Sequence, residues 1–168
     1  MCIPMCIPVH SCAVPAANCL SEESDLDFRV SIEIAASPDV VWSIMSDIER
    51  WHEWTASVRS VKRLDDGPLR IGSRAVIRQP KFPPAIWKVT AIDPGRSFTW
   101  ISGAPTMWVH AHHSVVPIPG GARATLGLHF HGPLARLLGR MTSAINDSYL
   151  AMEAAGLKRR SEGRSLTA

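Results

Sequence analysis

The chain has 168 residues, of which 46% are hydrophobic and 20% are charged, and its formal net charge is +3. This length is typical of one domain with its own hydrophobic core. The small basic excess lies mostly near the C-terminus and is not interleaved with aromatic residues, so we expect no nucleic-acid partner. No apolar run approaches the roughly 20 residues that cross a bilayer, so we also expect no membrane span.

The N-terminal segment differs in composition from the rest of the chain. All four cysteines lie within it, and its opening Met-Cys-Ile-Pro is repeated once. Because neither helical nor strand periodicity is present, we predict a disordered tail over 1–25, one ligand-binding domain over 26–162 and a flexible C-terminus over 163–168. A domain without cysteine is typical of a reducing compartment and favours a cytoplasmic location.

The domain begins with a strand and two helices. Apolar and polar residues alternate from Phe28 to Ile34, which predicts a half-buried strand. Ser37-Pro38-Asp39 then supplies an N-cap and a first-turn proline for a helix. A second, short helix is predicted over Asp47–Trp54.

Six strand-like segments follow, separated by glycine-rich and proline-rich turns. We predict them over Val58–Leu64, Ser73–Gln79, Ile86–Ile92, Phe98–Ser102, Met107–Val116 and Ala122–His131. Pro80–Pro84 is interpreted as a rigid connection, and Pro117–Gly121 as the turn of a hairpin.

The chain closes with one long predicted helix over Pro133–Arg160, which needs an apolar surface to pack against. Its apolar stripe contains Leu134, Leu137, Leu138, Met141, Ile145, Met152 and Ala155, together with Ser148 and Tyr149. Glu153 is assigned to the opposite, polar side. The simplest assembly is an α+β fold in which a curved antiparallel sheet wraps around this helix and leaves an apolar cavity between them.

The order of these segments resembles the START-like (SRPBCC) superfamily and, more narrowly, the polyketide cyclase/dehydrase family. The resemblance covers residues 28–162. The segments that carry it are Ala36–Trp42, Asp47–Trp51, Gln79-Pro80, Trp87–Val89, Phe98–Trp100, Gly132–Leu134 and Tyr149–Lys158. It implies a helix-grip fold with a deep apolar cavity. Members bind lipids, polyketides, hormones or aromatic substrates, and some catalyse cyclisation or dehydration.

One histidine is the candidate for catalysis. Pleating of the strand from Met107 sends Val109, Ala111 and His113 to the same, more apolar face, which should point inward. An imidazole titrates near neutral pH, so His113 is the candidate general acid/base. The alternative is a core histidine satisfied by a neighbouring polar group.

Other inward positions are candidates for ligand contact. Gln79 can offer a polar handle, Trp87 and Trp100 can stack on a planar ligand, and the Tyr149 hydroxyl can hydrogen-bond a carbonyl. The complete set of predicted ligand-binding residues is Gln79, Trp87, Trp100, Val109, Ala111, Leu128, Met141, Ile145 and Tyr149. For the polar and aromatic members the alternative is ordinary core packing.

The remaining histidines of the last hairpin, His110, His112, His129 and His131, fall on the outward faces of their strands. An H-x-H pair on each of two neighbouring strands can bind a divalent metal. No carboxylate is expected among them, and an exposed strand tolerates histidine, so we predict solvated surface, no metal and no cofactor.

Three functions stay open. The first is a binding protein for a hydrophobic small molecule, and the second is a cyclase or dehydratase that uses His113 with Gln79 or Tyr149. The third is an interaction protein that docks a partner through the outer face of its sheet or through Trp51–Trp54. Few polar groups are predicted inside the cavity, which favours binding. Both a monomer and a homodimer are compatible with the sequence.

Overall fold

The computed structural model describes residues 26–165, so the predicted tail over 1–25 and the last three residues lie outside the described part. These described residues fold into seven strands and three α-helices, with a 3₁₀ helix after the first. The strands are β1 (Leu26–Ile34), β2 (Ser60–Arg63), β3 (Arg74–Gln79), β4 (Phe82–Asp93), β5 (Ser97–Ala104), β6 (Met107–Ile118) and β7 (Gly121–His131). The helices are α1 (Pro38–Ser46), the 3₁₀ helix (Ile48–Glu53), α2 (Ala135–Met141) and α3 (Ser143–Ser165).

The seven strands form one antiparallel sheet in the order β1-β7-β6-β5-β4-β3-β2. From β2 to β7, strands that follow one another in the sequence pair with each other. The first strand, β1, pairs with the last, β7, along its whole length, from Leu26 opposite Phe130 to Ile34 opposite Ala122. The α3 helix packs against β1, β7 and α1. The predicted α+β helix-grip architecture is therefore confirmed.

Apolar side chains from the sheet, α1 and the 3₁₀ helix build the core. Ser37 caps α1 through its hydroxyl, which accepts from the Val40 amide, and Val41, Ile44 and Met45 form the buried face of that helix. Trp51 is only 2% exposed and its Nε1 donates to the Met45 carbonyl. Trp51 is therefore a core residue, which contradicts its predicted use as a docking residue.

The β4 strand begins earlier than the sequence predicts. It starts at Phe82 and includes Pro83 and Pro84, so the expected rigid connection is reduced to a two-residue turn. These prolines are tolerated because β4 pairs with β5 only from Lys88 onward, which leaves this part of the strand without a neighbour on one side.

The predicted single C-terminal helix is in fact two helices. The break falls at Thr142, whose hydroxyl and amide both donate to the Leu138 carbonyl. The amide hydrogen bond is a regular helical one, whereas a threonine hydroxyl that bonds the carbonyl four residues back weakens and bends a helix. The α3 helix continues to Ser165, beyond the predicted domain end at residue 162.

Within residues 26–165, no helix has the length and apolar character needed to cross a membrane.

Candidate functional site

A cavity of about 440 Å³ lies between the sheet and the C-terminal helices. Strands β3 to β7 supply one side, which we call the sheet wall, and α2 and α3 supply the other, the helix wall. The sheet wall includes Ile77, Gln79, Phe82, Ala85, Trp87, Trp100, Met107, Val109, Ala111, His113, Leu128 and Phe130. The helix wall consists of Leu138, Thr142, Asn146, Tyr149, Leu150 and Glu153.

The structure places every predicted sheet residue at the cavity. Gln79, Trp87, Trp100, Val109, Ala111, His113 and Leu128 all line it. Period-2 alternation explains this agreement, because one correct inward residue on a strand determines the phase of the others. Their contact with a ligand stays a prediction.

On the helix wall, two of the three predicted residues do not line the cavity. Tyr149 lines the cavity, but Met141 and Ile145 do not, and Met141 is 74% exposed. The lining residues keep regular helical spacing from Leu138 through Thr142, Asn146 and on to Glu153, so the error lay in choosing the apolar Met141 and Ile145, which lie beside this stripe. The buried face of α3 instead carries Asn146, Tyr149, Leu150, Glu153, Ala154, Leu157 and Ser161.

His113 is enclosed by aromatic rings. Its imidazole stacks on Phe98 with ring centroids 4.6 Å apart and planes 6° from parallel, and the Trp51 centroid lies 5.2 Å away. Its Nδ1 is buried and has no hydrogen-bond partner among the described residues. Burial lowers the pKa of His113 to about 3, with a smaller contribution from His112. His113 is therefore neutral at pH 7, and a base with such a low pKa is weak. It is a core histidine, as the alternative interpretation proposed, but without the expected polar neighbour.

Glu153 is the cavity carboxyl that the sequence analysis assigned to the outside. It is 8% exposed and lines the cavity. Its Oε1 accepts a hydrogen bond of 2.9 Å from the Ser57 hydroxyl, which lies 2.9 Å from the hydroxyl of buried Thr55. Burial raises the pKa of Glu153 to about 7, an effect that the Ser57 hydrogen bond reduces. Among the described residues, no basic side chain contributes to this shift, so the carboxyl has no countercharge.

A glycine brings Glu153 and Ser57 together. A Cβ at Gly156 would lie 2.2 Å from the Trp54 carbonyl oxygen, so α3 can approach this backbone closely only because position 156 has no side chain. Gly156 lies one turn after Glu153 on the same helix. The close approach therefore places the carboxyl beside the segment that contains Ser57.

Tyr149 connects the helix wall to the turn between β3 and β4. Its hydroxyl accepts a 3.0 Å hydrogen bond from the Lys81 amide, and its ring meets Phe82 edge to face at 5.8 Å. The hydroxyl proton is still available to a ligand because this hydrogen bond uses the oxygen as an acceptor.

The outward histidines form a surface cluster on the other face of the sheet. His110 and His131 have ring centroids 4.9 Å apart, and His129 Nδ1 lies 2.7 Å from Asp27 Oδ1. The expectation that no carboxylate lies among them was wrong, because β1 pairs beside β7 and brings Asp27 opposite His129. Among residues 26–165, no group of three or more histidine, cysteine or acidic side chains has a geometry suited to a metal ion.

Sequence reasoning assigned Glu153 to the polar side of the helix and did not consider Asn146 or Thr142. One signal was available for Glu153. It precedes Ala154 and Gly156, and small residues in a helix allow a neighbouring backbone to approach closely. That signal indicates a tight contact without identifying its partner.

Comparisons with known proteins agree with this geometry. The family model described as "Polyketide cyclase / dehydrase and lipid transport" matches residues 25–162. No curated protein matches this sequence. The solved structures that share the fold include three proteins of 11–14% identity, and identities this low show the fold alone. The di-domain ARO/CYC StfQ from the steffimycin biosynthetic pathway has a TM-score of 0.68 and 11% identity, over 84% of this chain and 52% of that one.

Two further similar structures are matched over nearly their whole length. A norcoclaurine synthase point mutant from Thalictrum flavum, in complex with a transition-state analogue, has a TM-score of 0.67 and 14% identity, with 84% and 96% of the two chains covered. Ara h 8.0201 has a TM-score of 0.59 and 13% identity, with 86% and 99% covered. On the family match and the observed architecture, the chain belongs to the polyketide cyclase/dehydrase and lipid transport family, within the START-like superfamily.

Proposed function

We propose that this protein binds a hydrophobic or aromatic small molecule, lipid-like or polyketide-like, in the cavity between the sheet and the C-terminal helices. The observation that carries the proposal is the cavity itself, which has a volume of about 440 Å³ and an apolar, aromatic wall. Ligand sites of this size typically combine such a wall with a few convergent polar groups. Gln79, Tyr149 and Glu153 supply those groups here.

The aromatic composition of the sheet wall favours a planar ligand. Trp87 and Trp100 have ring centroids 5.4 Å apart, and Trp100 also meets Trp51 at 5.3 Å. Their rings offer large rigid contact areas to a flat molecule. The description of the matching family names polyketides and lipids, which are the two ligand classes proposed above.

Native mass spectrometry of freshly purified protein tests the proposal by detecting a co-purified ligand. A titration with 2-ethylnaphthalene, read by tryptophan fluorescence, tests it with a defined probe. Ala111→Phe fills the cavity and should weaken that binding at least tenfold. Ala91→Phe, at an exposed position on β4, is the matched control. Equal binding by both variants, or no binding by the wild type, contradicts the proposal.

A cyclase or dehydratase activity in the same cavity is the second candidate. The observation that favours it is a cavity-lining carboxyl with a pKa of about 7, since an acid/base catalyst works best when its pKa is near the operating pH. We assign this role to Glu153 in place of His113, whose pKa of about 3 is unsuited to it.

Hydrogen–deuterium exchange at the methyl group of 2-acetylnaphthalene in D₂O tests this second function. A positioned acid/base pair should accelerate that exchange, and Glu153→Gln should lower the enzymatic rate by about 10²–10⁴-fold. If the wild type binds the ketone but does not accelerate the exchange, the catalytic function is contradicted and binding remains the proposed function.

A cytoplasmic location and a monomeric or homodimeric state belong to the same proposal. The first rests on the absence of cysteine after residue 19. Redox-state labelling in cells tests the location, and sedimentation of the purified protein tests the oligomeric state.

A further inference from the structure

We propose that the carboxylic acid of Glu153 recognises a carbonyl oxygen at the buried end of the ligand by donating a hydrogen bond from Oε2. This inference rests on the proposed binding function and adds a ligand class to it. The class is a hydrophobic, planar molecule that carries a ketone, aldehyde or quinone-type oxygen.

The hydrogen bonds around the carboxyl distinguish its two oxygens. Ser57 donates to Oε1, and no second donor reaches the carboxyl among the described residues. Because the single hydroxyl proton of Ser57 is directed at Oε1, the Thr55 hydroxyl must be the donor in its contact with Ser57. Oε1 is thus the accepting oxygen, and a proton on the carboxyl is best accommodated on Oε2.

The surroundings favour the protonated form. Glu153 lines the cavity, and the other titratable side chains on that lining are His113 from β6 and Tyr149 from α3. His113 is neutral because of its low pKa. From the segment before β2, the Ser57 hydroxyl bonds the carboxyl and the Thr55 hydroxyl bonds Ser57. A buried carboxyl without a cation stays neutral more readily than it ionises.

A neutral carboxylic acid in an apolar cavity needs an acceptor. An unpaired buried donor costs free energy, and a ligand that supplies the missing acceptor recovers it. A carbonyl oxygen is an acceptor without a proton of its own, so it matches this donor. The aromatic sheet wall accounts for the planar, hydrophobic remainder of the molecule.

Three naphthalene probes of similar size separate the possibilities. These are 2-acetylnaphthalene, which carries the carbonyl, 2-ethylnaphthalene, which lacks oxygen, and 1-(2-naphthyl)ethylamine, which carries a cation. At pH 5.5 the wild type should bind the ketone about three- to tenfold more tightly than the hydrocarbon, the value of one hydrogen bond. At pH 9 this preference should disappear because the ionised carboxylate no longer donates.

Variants test whether Glu153 is the donor. Glu153→Gln retains an N–H donor, so its preference for the ketone should survive at both pH values. Glu153→Leu should show no preference at either. Asp147→Asn, which alters an exposed carboxyl on the same helix, should behave like the wild type.

Two results overturn the inference while leaving the binding function intact. One is equal affinity for ketone and hydrocarbon in the wild type at pH 5.5. The other is a preference for the amine that increases with pH, which would identify a carboxylate site for cations. Absence of binding by the hydrocarbon and the ketone alike would overturn the proposed function together with this inference.

Discussion

The sheet wall and the helix wall each bury a side chain with a strongly shifted pKa, His113 and Glu153, and they do so in different ways. On the sheet wall, aromatic rings surround His113, and its Nδ1 has no partner among the described residues. On the helix wall, Glu153 has a chain of two hydroxyls on one side and the cavity on the other. The first site stabilises packing, whereas the second leaves a polar atom available to a ligand.

The two sites also respond to pH in opposite directions. His113 has a lowered pKa, so it contributes stability above its ordinary pKa that is lost as the pH falls. Glu153 has a raised pKa, so its contribution is present at low pH and is lost as the pH rises toward about 7. In the folded protein both side chains are neutral between a pH of about 3 and a pH of about 7. Measurements of the unfolding free energy against pH can therefore separate the two contributions.

The largest expected effect belongs to the sheet wall. Between pH 7 and 3.5, protonation of His113 in the unfolded chain should cost the wild type about 4 kcal/mol of unfolding free energy, given its pKa of about 3. His113→Gln should lose this contribution, which urea denaturation at the two pH values measures. His112→Gln, at the exposed neighbouring position, should retain it. An unchanged acid dependence in His113→Gln would show that the imidazole ionises without unfolding.

On the helix wall, Glu153→Gln should remove the loss of unfolding free energy that occurs as the pH rises. Between pH 4.5 and 9 the wild type should lose about 3 kcal/mol because the carboxyl, with a pKa of about 7, ionises more easily in the unfolded chain. The glutamine variant should be the more stable protein at pH 9, again by urea denaturation. Parallel curves for the two proteins would contradict a raised pKa at this site.

Gly156→Ala tests how the helix wall is positioned. The added methyl group meets the Trp54 carbonyl, so α3 must shift, at a cost of about 1–3 kcal/mol. Gly163→Ala in the same helix meets nothing within 4 Å and should instead stabilise by up to about 1 kcal/mol. Thermal melts compare the two. Similar melting temperatures would mean that the close approach at Gly156 is unimportant.

The smallest expected effect comes from Ser57→Ala. The Ser57 hydrogen bond lowers the pKa of Glu153, so its removal should raise that pKa by about half a unit to one unit. The carboxyl ¹³C chemical shift of Glu153, followed against pH, reports the change. Thr55→Val removes the more distant hydroxyl and should shift the pKa less. A lower pKa in Ser57→Ala would exclude Ser57 as the donor.

The strand part of the cavity followed from local sequence pattern. In β6, alternation alone assigned Val109, Ala111 and His113 to one face, and all three line the cavity. A strand has only two faces, so once its apolar face is assigned to the cavity, the direction of every side chain on that strand is determined. The same reasoning gave the antiparallel sheet and its packing on a C-terminal helix.

The helix part required the folded structure, for two physical reasons. A helix has many possible phases, and the inward stripe continues from Leu138 through polar Thr142 and Asn146 rather than through the apolar residues beside them. Glu153 looks like a solvent-exposed residue because a charged side chain is rarely buried without a partner. Its partner, Ser57, lies 96 residues away in the chain and meets it only where Gly156 lets the helix approach the Trp54 backbone. Burial of a polar group depends on such distant contacts, and no local pattern encodes them.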